Sequence, residues 1–153
     1  ACKLCWLPCA MDSSQDVEAG LRRVLALARA EAESLGIDQD AFDIDHAISQ
    51  WVSGKLRCWW IGGHTLLLYV ITKSAWHSKN FPVLHELLLF KYDHTRKNTF
   101  KEVLRVLDTL AKHHDVRYIS VGNSLTRKPA AVRRLYLRSG YRQAADILIK
   151  EVA

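Results

Sequence analysis

Apolar residues in this chain follow two different periods, and the order in which those periods alternate constrains the fold most. Helical spacing of apolar residues runs from Val17 to Leu35 and again from Phe100 to Ala111. Between these helices, residues 56–61, 65–72 and 83–92 are rich in leucine, β-branched and aromatic residues, which is typical of strands. The first two of these strands should form an antiparallel hairpin. The alternation predicts one layer of sheet with helices packed against it.

Other elements are predicted from their start and stop signals. Ser13-x-x-Asp16 resembles a capping box, and Gly36 is placed to end the first long helix. A second helix is predicted from the acidic run 38–45, because carboxylates suit a first turn and the run lacks the glycine and final glutamate of a calcium loop. Further strands are predicted at residues 3–7, 117–121 and 145–152.

The length of the chain is that of one domain. Its 153 residues suffice to bury a sizeable core, and there are no internal repeats, linkers or low-complexity tracts. No apolar stretch approaches the roughly 20 residues that span a bilayer, and no N-terminal series resembles a secretion signal. We therefore expect a single domain over residues 1–153, located in the cytoplasm.

Four cysteines allow two interpretations. Cys2, Cys5 and Cys9 form a C-x-x-C-x-x-x-C pattern that could supply three thiolates to zinc, with Cys58 as a fourth ligand. A second paired C-x-x-C is missing, and residues 2–7 also have the pattern of a short apolar strand. Reduced, partly buried thiols with no metal are the favoured interpretation.

Charge is distributed unevenly along the chain, whose net charge is +6. Residues 12–45 hold nine acidic and three basic side chains, whereas residues 117–142 hold seven basic side chains and no acidic one. Such a basic segment suits a polyanion, either nucleic acid or a compact phosphorylated cofactor. The alternative is a solvated helix face.

The last third of the chain predicts a short helix over residues 129–139. Pro129 suits a first helical turn, Thr126 is a candidate N-cap, and Gly140 is placed where a left-handed residue ends a helix. Tyr136 then lies in the last turn. Its phenol could donate a proton to a leaving thiolate, or its ring could simply pack on the sheet.

This segment resembles a known family. Asn123 at the end of a strand, a helix ending in Leu135-Tyr136, then x-x-x-Gly140-Tyr141 and a final strand are similar to the C-terminal half of the GCN5-related N-acetyltransferase (GNAT) family. The order of elements agrees over nearly the whole chain, although the motif itself covers only residues 123–141. The resemblance implies an α/β fold with a mixed, largely antiparallel sheet flanked by helices and a splayed central strand pair.

The resemblance also implies a reaction and a cosubstrate. Members of the family transfer an acetyl group from acetyl-CoA to an amine, and a Gly-rich turn of the form Arg-Gly-x-Gly-Ile-Gly binds the cofactor pyrophosphate. Here that turn has lost its three glycines, but it keeps cationic and hydroxyl side chains. The residues expected to bind acetyl-CoA are Arg96, Lys97, Asn98, Thr99, Phe100, Lys101, Asn123, Arg127 and Lys128.

Two residues are expected to act in catalysis. Tyr136 is the expected general acid, and Glu86 on the central strand is the expected general base, acting directly or through water. The alternative for Glu86 is a surface carboxylate near the start of its strand. Its neighbour His85 should point to the opposite face.

Two further classes of function remain open. A GNAT-shaped protein without the glycine loop could be a binding or structural component, and compact proteins of this kind resemble some that tailed bacteriophages encode, including virion-associated ones. Alternatively, tyrosines among the arginines of the last third could stack nucleic-acid bases. The class of amine acceptor stays open, and Trp59, Trp60 and Trp76 could contribute to a homo-oligomer or larger assembly.

Overall fold

The computed structural model describes residues 14–37, 42–73, 81–96, 99–122 and 124–143. In this part of the chain the helices are α1 (Ser14–Ser34), α2 (Ile44–Val52), α3 (Phe100–His113) and α4 (Pro129–Arg138). The strands are β1 (Arg57–Ile61), β2 (Thr65–Lys73), β3 (Pro82–Lys91), β4 (Tyr118–Ser120) and β5 (Ser124–Leu125). Within the described residues the predicted order of helices and strands is confirmed, and β5 is an addition to it.

The strands form one sheet in the order β1-β2-β3-β4, with β5 also paired to β3. β1, β2 and β3 pair antiparallel, whereas β4 and β5 both run parallel to β3. β3 is therefore the central strand. The mixed, largely antiparallel sheet with flanking helices confirms the predicted fold class.

The parallel edge of β3 is interrupted in its middle. Residues 83–85 pair with residues 118–120, and pairing resumes only where Leu89 and Phe90 meet β5. The two segments are predicted to diverge towards their C-terminal ends, and β3 and β4 do part after His85. The chain after β4 then returns to the edge of β3 at β5.

β3 also carries one extra residue on its antiparallel edge. Leu68 pairs with Leu88, but the next residue of β2, Tyr69, pairs with Glu86. Leu87 is left without a partner on β2, which defines a β-bulge. The bulge on the antiparallel edge of β3 therefore lies directly opposite the gap in pairing on its parallel edge.

The bulge reverses the alternation of side chains along β3. Side chains alternate between the two faces of a strand, so one extra residue moves everything after it to the opposite face. Leu84 and Glu86 consequently face α3 and α4, whereas Leu88 and Phe90 face α1 and α2. The run Leu87-Leu88-Leu89-Phe90 predicts burial on both faces of the strand, but Leu87 is 47% exposed. That prediction is wrong at the bulge itself.

Each face of the sheet has its own apolar core. The spacing that predicted α1 places Leu21, Leu25 and Ala28 against one face, where Ile48 of α2 joins them. On the other face, α3 contributes a buried stripe that packs with Tyr136 of α4. This stripe consists of Val103, Leu107 and Leu110.

The helix ends follow local capping chemistry. Asp43 caps α2 by accepting a hydrogen bond from the backbone N–H of His46 at 2.9 Å. Pro129 begins α4, and Gly140 follows it with a φ of +89°, as predicted. The predicted N-cap of α4 is wrong. The Thr126 hydroxyl accepts from the N–H of Lys128 at 3.1 Å, which closes a turn one step before the helix, and Lys128 itself is the capping residue.

Some predictions fall outside the described residues. These are the strands 3–7 and 145–152, Trp76, and three of the four cysteines. Cys58, Trp59 and Trp60 are half-buried and pack against the two cores. Within the described part of the chain, no helix has the length and apolarity to cross a bilayer, and no cluster of side chains could hold a metal ion.

Candidate active site

The two residues predicted to act in catalysis are in direct contact. The hydroxyl of Tyr136 donates a hydrogen bond to Oε2 of Glu86, with 2.7 Å between the oxygens. Glu86 is only 1% exposed and Tyr136 only 4% exposed. The alternative of a surface carboxylate is therefore wrong for Glu86, and the Tyr136 hydroxyl has a specific polar partner besides the packing of its ring.

The carboxylate of Glu86 also bridges the interruption between β3 and the chain after β4. The backbone N–H of Gly122 donates to Oε1 of Glu86 at 3.2 Å. The bulge makes this contact possible, because it leaves Glu86 on the face of α3 and α4. Charge-assisted hydrogen bonds of this kind stabilise a buried carboxylate that would otherwise be costly to desolvate.

Aromatic rings hold Tyr136 in place. Phe100 of α3 contacts the Tyr136 ring edge to face, with 4.9 Å between centroids, and Tyr141 does the same at 5.0 Å. The N–H of Tyr141 donates to the carbonyl of Tyr136 at 3.2 Å, so the turn at Gly140 folds the chain back onto α4. The Leu-Tyr-x-x-x-Gly-Tyr pattern thus has a direct structural purpose, because it packs its two tyrosine rings against each other beside Glu86.

Tyr141 carries a buried hydroxyl that has no hydrogen-bond partner among the described residues. Burial, together with the nearby charges of Asp108 and Glu86, raises the pKa of Tyr141 to about 12 from its ordinary value of 10.0. The folded state therefore favours the neutral phenol. Its contribution to stability is complete below pH 10 and is lost as the pH rises from 10 through about 12.

This environment predicts the behaviour of Tyr141→Phe. The variant should be at least as stable as the parent at neutral pH, by up to about 1 kcal/mol, because an unpaired buried hydroxyl is costly. Its free energy of unfolding should also decrease less between pH 10 and 12 than that of the parent. Urea unfolding of both proteins at pH 7, 10 and 11.5 measures this. A Phe variant that is clearly less stable at pH 7 would mean that the hydroxyl has a role that its surroundings do not indicate.

A pocket of about 600 Å³ opens next to the catalytic pair. It lies where β3 ends, between the starts of α3 and α4, and Leu89, Phe90 and Val132 form part of its apolar wall. Its charged and hydrogen-bonding lining consists of Glu31, Thr65, Lys91, His94, Thr99, Thr126, Arg127 and Lys128. A mixed apolar and cationic lining of this size suits a phosphorylated ligand with an apolar arm.

The pocket brings together some of the residues predicted to bind the cofactor. Thr99, Phe100, Arg127 and Lys128 line it. Arg96 and Lys101 are exposed and lie outside its lining. Lys97, Asn98 and Asn123 lie outside the described residues.

One of the cations in the pocket is already engaged. Nε of Arg127 lies 2.8 Å from Oε1 of Glu31 on α1, and these hydrogen bonds raise the pKa of Arg127 further above its ordinary range. Lys128 has no ion-pair partner among the described residues. A ligand phosphate would therefore compete with Glu31 for Arg127, whereas Lys128 is available to it.

Phe100 separates the pocket from the catalytic pair. Its ring lines the pocket and also contacts Tyr136, while Val132, one helical turn before Tyr136 on α4, lines the pocket from the other side. Neither Glu86 nor Tyr136 belongs to the lining. The Glu86–Tyr136 pair therefore lies behind the part of the pocket wall that Phe100 forms.

Two features of the site were missed from the sequence. The first is the bulge at Leu87, which an uninterrupted run of leucines does not reveal. The second is His64, which is 0% exposed and bonded on both ring nitrogens. Thr99-x-x-Glu102 has the pattern of a capping box, and that pattern could have drawn attention to Glu102, the partner of His64.

The fold is an α/β domain similar to several solved structures, among them acetyltransferases. A probable acetyltransferase of known structure has a TM-score of 0.63 and 9% identity over 89% of this chain and 93% of its own. The ribosomal-protein-alanine N-acetyltransferase from Brucella melitensis biovar Abortus 2308 has a TM-score of 0.51 and 16% identity, covering 88% and 89% of the two chains. The tetramutant of the BH1408 protein from Bacillus halodurans has a TM-score of 0.60 and 12% identity, covering 90% and 95%.

These structures show that the chain has a GNAT-like fold. No protein-family model matches the sequence, and no curated protein sequence matches it. The reaction is therefore inferred from the site and not from sequence similarity.

Proposed function

We propose that this protein is an N-acyltransferase that moves an acetyl group from acetyl-CoA to an amine. The observation that carries the proposal is the hydrogen bond from the Tyr136 hydroxyl to the Glu86 carboxylate, buried beside a cationic pocket. A carboxylate and a phenol in contact are a proton acceptor and a proton donor, and an aminolysis of a thioester needs one of each. The GNAT-like fold supports the same reaction.

The pocket is proposed to hold coenzyme A. Lys128 and Arg127 would meet the pyrophosphate, and the start of α3 would direct backbone N–H groups towards it. The apolar wall of Leu89, Phe90 and Val132 suits the pantetheine arm. Bound acetyl-CoA supplies the activated acetyl group and the thiolate leaving group.

Contact between Glu86 and Tyr136 allows one proton relay to serve both ends of the reaction. Glu86 accepts the proton that the amine loses as the C–N bond forms. Tyr136 donates its proton to the thiolate as the C–S bond breaks. The proton held on Glu86 then passes along the 2.7 Å hydrogen bond to the Tyr136 oxygen, which restores both residues.

The bulge is proposed to polarise the thioester carbonyl. Bulges turn backbone groups out of the ladder and commonly lie next to active sites. Leu87 has no partner on β2 and is exposed, in the middle of a strand that is otherwise largely buried. A backbone N–H directed at the carbonyl oxygen would stabilise the charge that develops there.

The proposal is tested by calorimetry with acetyl-CoA, followed by measurement of thioester consumption with a panel of amines. We expect saturable binding, and release of free coenzyme A that depends on one class of amine. Coenzyme A without the acetyl group should bind comparably, because the pocket recognises phosphate and the pantetheine arm. Absence of binding at millimolar ligand would contradict the proposal.

We expect Arg127 and Lys128, which line the pocket and do not belong to the turn at residues 96–101, to contribute most to coenzyme A affinity. Replacing Arg127 and Lys128 together by Ala should weaken binding by roughly 10-fold or more and reduce its salt dependence. Glu31→Gln should have the opposite effect, because it releases Arg127 from its ion pair. Calorimetry at low and high salt measures both.

The exposed pair Arg133 and Arg134 on α4 provides the matched control. Neither residue lines the pocket, so their double Ala variant should bind as the parent does. Equal losses in the two double variants would mean that net charge, and not the pocket, attracts the ligand. The sequence also predicts Arg96 as a cofactor-binding residue, but Arg96 lies outside the lining.

A second candidate function is a binding protein that does not catalyse. The observation that favours it is the enclosure of the catalytic pair behind Phe100, in a chain that has lost the three glycines of the cofactor loop. Such a protein could bind a phosphorylated ligand in the pocket without reaching Glu86. Binding without thioester consumption for any amine in the panel would favour this function.

A further inference from the structure

The gap on the parallel edge of β3 keeps its register. Before the gap, Val83 meets Tyr118. After the gap, Leu89 meets Ser124, so neither side gains or loses a residue in between. Gly122 consequently stands opposite the bulged residue of β3. Both edges of β3 are therefore open at the same point, and Gly122 lies in that opening.

The N–H of Gly122 bonds a side chain in this opening. In an uninterrupted parallel ladder, the backbone of this segment would pair with the backbone of β3. Here the N–H of Gly122 donates to Oε1 of Glu86 at 3.2 Å. The carboxylate thus takes the place of a ladder acceptor and ties β3 to the segment between β4 and β5. Its second oxygen, Oε2, accepts from the Tyr136 hydroxyl at 2.7 Å.

Gly122 has a backbone conformation that other residues resist. Its φ is +148°, which a residue with a Cβ rarely adopts. Steric crowding is not the reason for a glycine here, because a Cβ at Gly122 would meet no atom within 4 Å in the described part of the chain. Replacing Gly122 by alanine should therefore act through the backbone, by changing the direction of the N–H.

The N–H of Gly122 is a donor that stays in place during the proposed reaction. Burial favours the neutral form of a carboxyl group, whereas donated hydrogen bonds favour its charged form. Glu86 is buried, so its charge depends on such donors. The Tyr136 hydroxyl is one of them, but in the proposed relay it gives its proton to the thiolate. The backbone N–H keeps its proton and needs no reorganisation.

We infer that Gly122 is a positioning residue whose backbone N–H keeps Glu86 charged and leaves the second carboxylate oxygen directed at Tyr136. The inference rests on the proposed function in taking Glu86 as the base that accepts the proton of the amine. The hydrogen bond, and its dependence on the charge of Glu86, can be measured without any substrate.

Other titratable groups surround Glu86 on the same face of the sheet. They are Tyr69 on β2, Asp108 on α3, His114 at the end of α3, Tyr136 on α4 and Tyr141 after α4. Phenols titrate at about pH 10, far above the range of a carboxylate. Asp108 acts on Tyr141 through its charge, and Nε2 of His114 lies 3.4 Å from the Tyr69 hydroxyl. Asp108→Asn and His114→Gln are therefore included as controls.

NMR of the labelled parent protein tests the hydrogen bond directly. The carboxyl carbon of Glu86 is assigned by its loss in Glu86→Gln. As the pH is lowered, this carbon should titrate, and the amide proton of Gly122 should shift with the same midpoint. In Glu86→Gln the Gly122 amide should no longer shift in that range. A Gly122 amide that does not follow Glu86 would overturn the inference, whether or not the protein is an enzyme.

Gly122→Ala tests the consequence for turnover. Without the N–H the charged form of Glu86 is less favoured, so turnover should begin to fall at a higher pH as the solution is acidified. We expect this acid limb of kcat/KM to move upwards by roughly one pH unit or more. The KM for acetyl-CoA should stay within a few-fold of the parent. Asp108→Asn and His114→Gln should move the acid limb less.

Gly54→Ala is the matched control for a substitution at positive φ. Gly54 has a φ of +75° and open space around its Cβ position among the described residues. It follows α2, which packs on the opposite face of the sheet. The variant should lose stability because of its backbone strain and keep the pH profile of the parent.

The outcomes separate this inference from the proposed function. An acid limb that stays in place in Gly122→Ala, or that moves equally in Gly54→Ala, would overturn the inference. A parent that consumes no thioester would contradict the proposed function, and the NMR titration would then decide the role of Gly122 alone. The same titration decides it if Gly122→Ala does not fold.

Discussion

Glu86→Gln should lower acetyl transfer by about 10³-fold while leaving coenzyme A affinity nearly unchanged. The amide has the shape of the carboxylate, and its oxygen can still accept from the N–H of Gly122. It cannot take a proton from the amine, so the first step of the relay is lost. Its N–H₂ group would also face the Tyr136 oxygen where Oε2 now accepts.

His85→Gln is the matched control for this change. His85 precedes Glu86 on β3 and pairs with Val70, which packs against the core on the other face. The variant should keep turnover within a few-fold of the parent. Full activity in Glu86→Gln, measured as thiol release at saturating acetyl-CoA, would show that the proton of the amine leaves by another route.

Tyr136→Phe should lower turnover by roughly 10²-fold or more, and the structure adds an effect on stability. The hydroxyl is a donor to a buried carboxylate, so its removal leaves Glu86 with one hydrogen bond fewer. The loss should be about 1–3 kcal/mol of unfolding free energy, larger than for an ordinary surface hydroxyl. Thermal and urea unfolding measure this alongside thioester consumption.

The relay makes a further demand on the two variants together. Because Glu86 and Tyr136 act as one unit, the double variant should be little less active than the worse single variant. Tyr118→Phe on the exposed part of β4 is the control for removing a phenol, and it should be neutral in turnover. Multiplicative losses in the double variant would instead indicate two independent proton transfers.

Much of the fold follows from local patterns. The apolar spacing of α1 and α3 predicts which side chains are buried, because a helix covers one face of a sheet with a stripe of constant orientation. Gly36 and Gly140 end their helices at positive φ, as their positions predict. These signals lie within a few residues of the structure that they specify.

The site is less predictable because its parts are far apart in sequence. Tyr136 was identified from the motif around it, but its contact with Glu86 joins residues that are 50 positions apart. The engagement of Glu102 by His64 spans 38 positions and overrides a local capping pattern. In both cases tertiary packing selects among hydrogen bonds that the local sequence would equally allow.

The cofactor loop shows a different limit. Loss of its glycines was evident from the sequence, but the position of Arg127 and Lys128 in the pocket depends on how the start of α4 packs beside α3. Thr126 was predicted as a helix cap and instead closes the turn that presents Lys128. A side chain with several possible backbone partners close by takes the one that the turn favours.

The extra residue at Leu87 links two properties that could otherwise change independently during evolution. It directs Glu86 towards Tyr136, and it also keeps Leu88 and Phe90 in the core beneath α1 and α2. Deleting it would turn either the carboxylate or the two apolar side chains to the wrong face. Selection for a stable fold is thus enough to keep Glu86 on the same face of β3 as Tyr136. A descendant with no selection on the charged pocket lining would lose that lining long before it lost this strand.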